Sequence, residues 1–92
     1  MVQPITNFSP EKQDMAREDI VAAIHKRGLS LRALSVLNGF KPTTLNNALN
    51  GPYKEAEEII AKALDMKVED IWPSRVERRR LKESLKQQLA SI

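Results

Sequence analysis

The chain lacks or nearly lacks several residue types that other classes of protein need. It has 92 residues, no cysteine, three glycines and 4% aromatic residues. Without cysteine it can form no disulfide, no thiolate metal site and no cysteine nucleophile. Long apolar runs are also missing, since the longest fall far short of the ~20 residues that span a bilayer. Its opening residues show no basic start followed by an apolar stretch, so we expect a cytoplasmic chain without a signal peptide.

Acidic residues are missing from one long internal stretch. Between Ile20 and Lys54 the chain has five positive residues and no acid, whereas acids cluster on both sides. The formal net charge is +3, of which residues 75–92 contribute +4, which leaves −1 for the remainder. Such a gap can arise by chance in a short chain. Segregation of this kind also suits an oriented molecule with one side facing a polyanion.

Helix formers dominate what is present, and no alternating β-branched pattern indicates strands. Ser9 and Pro10 form a helix start, and Gly28 is a stop. Ser30 can cap a second helix, and Pro73 is expected to terminate the last helix of the body. We predict helices over residues 10–27, 31–37, 42–50, 54–64 and 68–72.

The C-terminal end differs from the body. Leu81, Leu85, Leu89 and Ile92 recur at helical spacing, and the opposite side is basic and polar. This segment is a sixth helix or a tail that folds only with a partner. Its leucine face can dock on the body, pair with a second copy or remain free. We therefore divide the chain into a flexible arm (1–9), a helical domain (10–75) and a basic extension (76–92).

The stretch from Leu29 to Gly51 has the pattern of a helix-turn-helix. Two short helices that cross steeply need a small residue at their closest approach and a glycine with positive φ in the turn. Ser35 stands where Ala or Gly is commoner, and Asn38 stands where an apolar residue often packs. The residues predicted to pack the two helices together are Leu34, Ser35, Gly39, Phe40, Leu45 and Ala48.

The outer side of the second helix is polar and neutral, with Thr and Asn side chains. Asn can bond both the N6 and N7 positions of adenine, and the Thr methyl can contact a thymine methyl. Asn is also a poor helix former, so a plain surface helix would favour Glu or Lys there. We predict base readout by Thr43, Asn46 and Asn47. Backbone contacts are predicted for Lys26, Arg27, Arg32, Lys41, Thr44 and Asn50.

Residues 14–75 resemble the Ner-like family of phage and bacterial regulators, which have a lambda-repressor-like helical fold. The resembling stretches are L-S-L-R-A-L-S, G-F-K-P-T-T-L-N-N-A-L, E-E-I-I-A-K-A-L and I-W-P-S-R, in family order. The resemblance implies an all-α, five-helix domain that binds operator DNA, commonly at paired half-sites, and represses or modulates nearby promoters. It places the recognition helix at Pro42 to Asn50 and does not cover residues 76–92.

The sequence therefore predicts a double-stranded DNA-binding transcriptional regulator, with a second copy of the chain as a possible partner. We expect no enzymatic activity, cofactor, metal, membrane or small-molecule ligand. His25 has no Cys or His partner for a metal, and Trp72 suits a core position. The rival hypothesis is a protein-interaction adaptor that uses the leucine face of the extension.

Overall fold

The computed structural model describes residues 13–90, and this part of the chain consists of six α-helices without a strand. Its buried apolar residues come from all of the first five helices and from the turns that join them. The predicted all-α class is therefore confirmed. The helices are α1 (Arg17–Lys26), α2 (Leu31–Leu37), α3 (Thr44–Ala48), α4 (Lys54–Ala63), α5 (Val68–Ile71) and α6 (Pro73–Ala90).

The first helix begins later than the sequence predicted. The proposed start at Ser9 and Pro10 lies outside the described residues, but residues 13–16 are not helical. The backbone N–H of Met15 instead donates to the carbonyl oxygen of Ile71 at 2.8 Å. This hydrogen bond joins residues 13–16 to the end of α5, and α1 starts only at Arg17. A continuous helix over residues 10–27 was therefore wrong.

The second helix and the turn that follows it agree with the prediction. The Ser30 hydroxyl accepts a hydrogen bond from the backbone N–H of Ala33 at 3.0 Å, which caps α2. Gly39 has φ of +82°, a backbone conformation that glycine adopts without steric cost. The Asn38 amide donates to the carbonyl oxygen of Leu34 at 2.8 Å, so this side chain closes the turn rather than packing in the core.

The third helix is shorter at both ends than the predicted range of 42–50. Pro42 is not in it, because the N–H of Thr44 closes a turn onto the carbonyl oxygen of Lys41 at 3.0 Å. At the other end, helical bonding of the Ala48 carbonyl would need an N–H at position 52. Pro52 has none, so the helix ends at Ala48 with Leu49 as its C-cap.

Pro73 ends one helix and begins the next. It follows the short α5 as predicted, but it also occupies the first position of α6, where a missing N–H and a fixed φ are tolerated. Asp14 accepts hydrogen bonds from the backbone N–H and hydroxyl of Ser74 at 2.9 and 2.6 Å. A carboxylate there suits the positive end of the α6 dipole.

Residues 76–90 of the C-terminal extension are helical, which is the first of the two alternatives, and they continue α6 from the body; Ile92 lies outside the described residues. The predicted boundary between residues 75 and 76 falls inside this helix. The first half of α6 contacts the body, whereas residues 80–90 are exposed. The division of the chain into residues 1–9, 10–75 and 76–92 stays a prediction. Among the described residues, no helix is both long and apolar enough to cross a membrane.

Ser35 joins α2 to α3 at the centre of the core. It is fully buried, and its hydroxyl donates to the carbonyl oxygen of Leu31 at 2.9 Å. The same oxygen accepts from the backbone N–H of Leu45 at 3.0 Å. Leu45 lies in the first turn of α3, where backbone donors have no partner within the helix. A serine therefore bonds a group that the commoner alanine would leave unpaired.

We expect Ser35→Ala to lower the free energy of unfolding by about 1–3 kcal/mol, because it leaves the Leu45 N–H buried without an acceptor. Urea unfolding followed by circular dichroism measures this change. Ser84→Ala is the matched control, since Ser84 is exposed on α6. A Ser35 variant as stable as this control would show that the hydroxyl does not anchor α3.

Candidate nucleic-acid interface

The third helix buries one side and presents the other to solvent. Leu45 and Ala48 are buried, and Leu49 is nearly so. Their burial fixes the rotation of this short helix, so the polar side chains must lie on the opposite side. Thr43, Asn47 and Asn50 are exposed, and Thr44 and Asn46 are half-buried.

The residues predicted to pack the two helices together lie between them or in the turn. Gly39 makes the turn, and the Phe40 ring packs edge-on against Tyr53 with ring centroids 5.9 Å apart. Ser35, Leu45 and Ala48 are buried, and Leu34 and Phe40 are half-buried.

The cations predicted to contact the DNA backbone are all exposed. Lys26 lies in the last turn of α1 and Arg27 follows as its C-cap. Arg32 is in the first turn of α2, and Lys41 precedes α3. The ion pairs found in residues 13–90 involve α4, α5 and α6 only, so these four cations remain available to phosphates. Their contacts with DNA stay predictions.

Arg17 also contacts the polar side of α3, and it is not among the residues predicted from the sequence to bind DNA. Its Nη1 donates to Asn50 Oδ1 at 3.0 Å and its Nη2 donates to Asn46 Oδ1 at 2.9 Å. One guanidinium on α1 thus bonds one amide within α3 and one just after its C-terminal end. A clue was present in the sequence, because a cation in the first turn of a helix opposes the helix dipole.

A buried carboxylate is linked through Arg75 to the C-terminal end of α3. Glu57 in α4 is fully buried. Arg79 donates to both of its oxygens, at 2.7 and 3.0 Å, which is a bidentate pair. The backbone N–H of Tyr53 and Nη1 of Arg75 donate to Oε2 at 2.8 and 3.0 Å. Every buried side-chain polar atom in residues 13–90 has a hydrogen-bond partner.

Arg75 extends this network to the C-terminal end of α3. Its Nη1 donates to the carbonyl oxygen of Ala48 at 2.8 Å, and its Nη2 donates to that of Leu49 at 3.3 Å. These are carbonyls that the helix itself cannot satisfy at its C-terminus. Its guanidinium also lies 4.7 Å from the centre of the buried Trp72 ring. The start of α6 therefore holds α3 in place against α4.

The surroundings of Glu57 keep it ionised. Burial by itself raises the pKa of its carboxyl, but hydrogen bonds from Arg79, the Tyr53 N–H and Arg75 outweigh that effect and hold the pKa below the usual value. The same pairing raises the pKa of Arg79. The network is thus ionic at neutral pH.

The sequence contains a signal for the role of Glu57. Positions 57, 60, 61 and 64 have the spacing of one helix face, and the other three are apolar and buried. An acid in phase with a buried face needs a cationic partner. Arg75 and Arg79, four residues apart on α6, provide it.

The remaining predicted positions have ordinary surroundings. Trp72 is buried in the core, and His25 is exposed near the end of α1. Over residues 13–90, no group of acidic or histidine side chains is arranged to hold a metal ion. The leucines at 81, 85 and 89 are exposed, so they do not dock on the body in this structure.

A glycine turn between two short helices, the second with an exposed polar side, defines a helix-turn-helix DNA-binding protein. The chain matches the family described as "Winged helix-turn-helix DNA-binding" over residues 14–88. It belongs to that family. No strand occurs in the described part of the chain, so a β-hairpin wing is not formed there.

Relatives identify the branch of the family. The chain is 49% identical over 69 residues to the "Negative regulator of transcription" of Escherichia phage D108, covering 75% of this chain and 94% of that protein. It is 52% identical over 63 residues to the protein of the same description from Escherichia phage Mu, covering 68% and 84%. With the "Mu-like prophage FluMu DNA-binding protein Ner" of Haemophilus influenzae, it shares 34% over 74 residues, covering 80% and 83%. The resemblance to Ner-like regulators is thereby confirmed.

Proposed function

We propose that this chain is a repressor that binds a specific double-stranded DNA site and acts on transcription without enzymatic activity. The exposed polar side of α3 is the observation that supports this most directly. Its shape and chemistry suit the major groove, where each base pair presents a distinct set of donors, acceptors and methyl groups. The names of the phage relatives support the negative sign of the effect. We place its action in the cytoplasm, where the protein would have access to DNA.

Cations around α3 supply the sequence-independent part of binding in this proposal. Lys41 precedes the helix, and Arg32 and Arg27 lie on the two elements before it. Contacts of such cations with phosphates fix the register of a protein on the duplex, whereas base contacts give the sequence preference. Thr44, at the start of α3, and Asn50, just after its end, are proposed to contact the DNA backbone as well.

One helix-turn-helix contacts few base pairs, so we further propose that two copies bind one site. Half-sites would then be related by a two-fold axis and separated by about one turn of DNA, roughly 34 Å. Selection of bound duplexes from a random pool tests both parts of the proposal. We expect an inverted repeat. A pool that shows no enrichment would contradict sequence-specific binding, and a single unrepeated motif would contradict binding as a pair.

Asn47 is the residue best placed to bond a base through both the oxygen and the NH₂ group of its amide. It is exposed, and within residues 13–90 its side chain makes no hydrogen bond that would fix the amide. We expect Asn47→Ala to lower discrimination at one base pair by about 1–3 kcal/mol. Competition binding with duplexes that vary that pair measures the effect.

The control for this variant is Lys62→Ala, an exposed residue on α4 outside the proposed interface. It should leave the preference unchanged. Equal weakening of Asn47→Ala on all duplexes would show that Asn47 contacts the backbone and not a base.

A further inference from the structure

Arg17 fixes the amides of Asn46 and Asn50 by hydrogen bonds, whereas the amide of Asn47 has no such bond in the described residues. A guanidinium carries donors only, so the atoms that face it in Asn46 and Asn50 must be oxygens. The observed contacts, Nη2 to Asn46 Oδ1 at 2.9 Å and Nη1 to Asn50 Oδ1 at 3.0 Å, agree with this assignment. The orientation of both amides is thereby determined by chemistry.

An amide is planar, and its oxygen and its NH₂ group diverge from the same carbon. When Oδ1 of Asn46 accepts from Arg17, one of its two lone pairs is used, and both hydrogens of Nδ2 are left to donate elsewhere. Bidentate reading of adenine needs Oδ1 and Nδ2 of one Asn directed at the same base edge. Asn46 could do this only if the oxygen that already accepts from Arg17 accepted a second hydrogen bond from the base. The Asn47 amide has no such partner in the described residues.

Arg17 is also at the surface, so the group it forms with Asn46 and Asn50 is accessible. Arg17 and Asn50 are exposed, and Asn46 is half-buried. The N–H groups that are not used in the two hydrogen bonds leave this cluster rich in donors. Its complement is an acceptor, such as guanine O6 and N7 or a phosphate oxygen.

We infer that Arg17 is a specificity-determining residue that turns Asn46 into a donor, so that this position selects a base with acceptors, guanine, rather than adenine. The inference rests on the proposed sequence-specific DNA binding. It also changes the earlier expectation that Asn46 and Asn47 read adenine alike. Arg17 acts here through the orientation of Asn46 and not only through its charge.

The experiment is selection of bound duplexes from a random pool, followed by competition binding, for the full chain and four variants. Arg17→Met removes the guanidinium and preserves side-chain length. Arg32→Met is the matched control, because it removes an exposed arginine that has no hydrogen bond to α3. Arg17→Met/Asn46→Ala, compared with Asn46→Ala alone, tests whether the effect passes through Asn46. Urea unfolding checks that each variant is folded.

We expect the full chain to select guanine at one position and Arg17→Met to select adenine there. The ratio of the two affinities should change by about 5- to 150-fold, the range that one bidentate base contact covers. Arg32→Met should weaken binding to every duplex by about the same factor, so that guanine stays the preferred base at that position. In the Asn46→Ala background, Arg17→Met should change the preference no further.

Two results would overturn the inference. In the first, Arg17→Met weakens binding equally on all duplexes and leaves the selected sequence unchanged, so that Arg17 is a phosphate contact only. In the second, the change in preference is the same with and without Asn46. Failure of the proposed function would look different, because the full chain itself would then enrich no sequence.

Discussion

Replacing Glu57 by alanine is expected to lower the free energy of unfolding by about 3–5 kcal/mol, because it removes the partner of a buried cation. Arg75 is 9% exposed and would lose the one carboxylate contact that it makes within residues 13–90. Small domains have about 5–15 kcal/mol of stability in all, so the variant should be close to unfolding at room temperature. Urea unfolding of the full chain, followed by circular dichroism, measures the change.

Glu55→Ala is the matched control for this substitution. Glu55 lies in the same first turn of α4 and is exposed. Its loss should cost no more than about 1 kcal/mol, the range of a charge near a helix terminus. If the two variants were equally stable, the Glu57 network would not hold the helices together.

The pH dependence of the free energy of unfolding provides a second test of the Glu57 carboxylate. In the folded chain the pKa of Glu57 lies below its usual value of 4.5. A lowered pKa means that the stabilisation is complete above the unfolded value and is lost as the pH falls through the folded value. We expect the difference in stability between the original chain and Glu57→Gln to narrow as the pH falls below about 4.5. A constant difference would contradict an ionised Glu57.

Loss of Glu57 should also weaken DNA binding at neutral pH, beyond what partial unfolding explains. The network bonds the carbonyls of Ala48 and Leu49 through Arg75, so it sets the position of α3 relative to the body. Binding measured at a temperature where Glu57→Gln is fully folded separates the two effects. Undiminished affinity there would show that α3 keeps its position without the carboxylate.

Affinity for DNA is expected to fall steeply with salt. Each neutralised phosphate contributes about −0.9 to the slope of log affinity against log salt concentration. Contacts by Lys26, Arg27, Arg32 and Lys41 would give a slope of about −3.6 for one copy and about −7 for two. Between about 50 and 200 mM salt, affinity would fall about 150-fold for one copy and about 10⁴-fold for two.

The slope therefore reports the number of copies as well as the nature of the contact. Lys41→Gln should make it shallower by about 0.9 for each copy bound, and Lys62→Gln on α4 should not change it. Titrations of a fixed duplex at several salt concentrations provide the measurement. A flat response would contradict contact with the phosphate backbone.

Local signals were enough for most helix positions in this chain. The Ser30 cap, the positive-φ Gly39 and the Gly51-Pro52 stop act within a few residues of the chain, so they can be recognised without knowing the fold. The polar side of α3 followed from the inward spacing of Leu45, Ala48 and Leu49. Errors occurred where distant contacts decide the outcome, as at residues 13–16, which bond to Ile71 and Ser74.

What the sequence alone determined was the kind of surface this protein offers, because helix periodicity and turn chemistry fix which side of α3 is polar. What only the tertiary structure decided was how that surface is held and oriented. Arg17 contacts residues about thirty positions away, and Arg75 and Arg79 contact Glu57 across about twenty. Such pairs form only when separate helices dock, since no rule of local spacing joins residues so far apart.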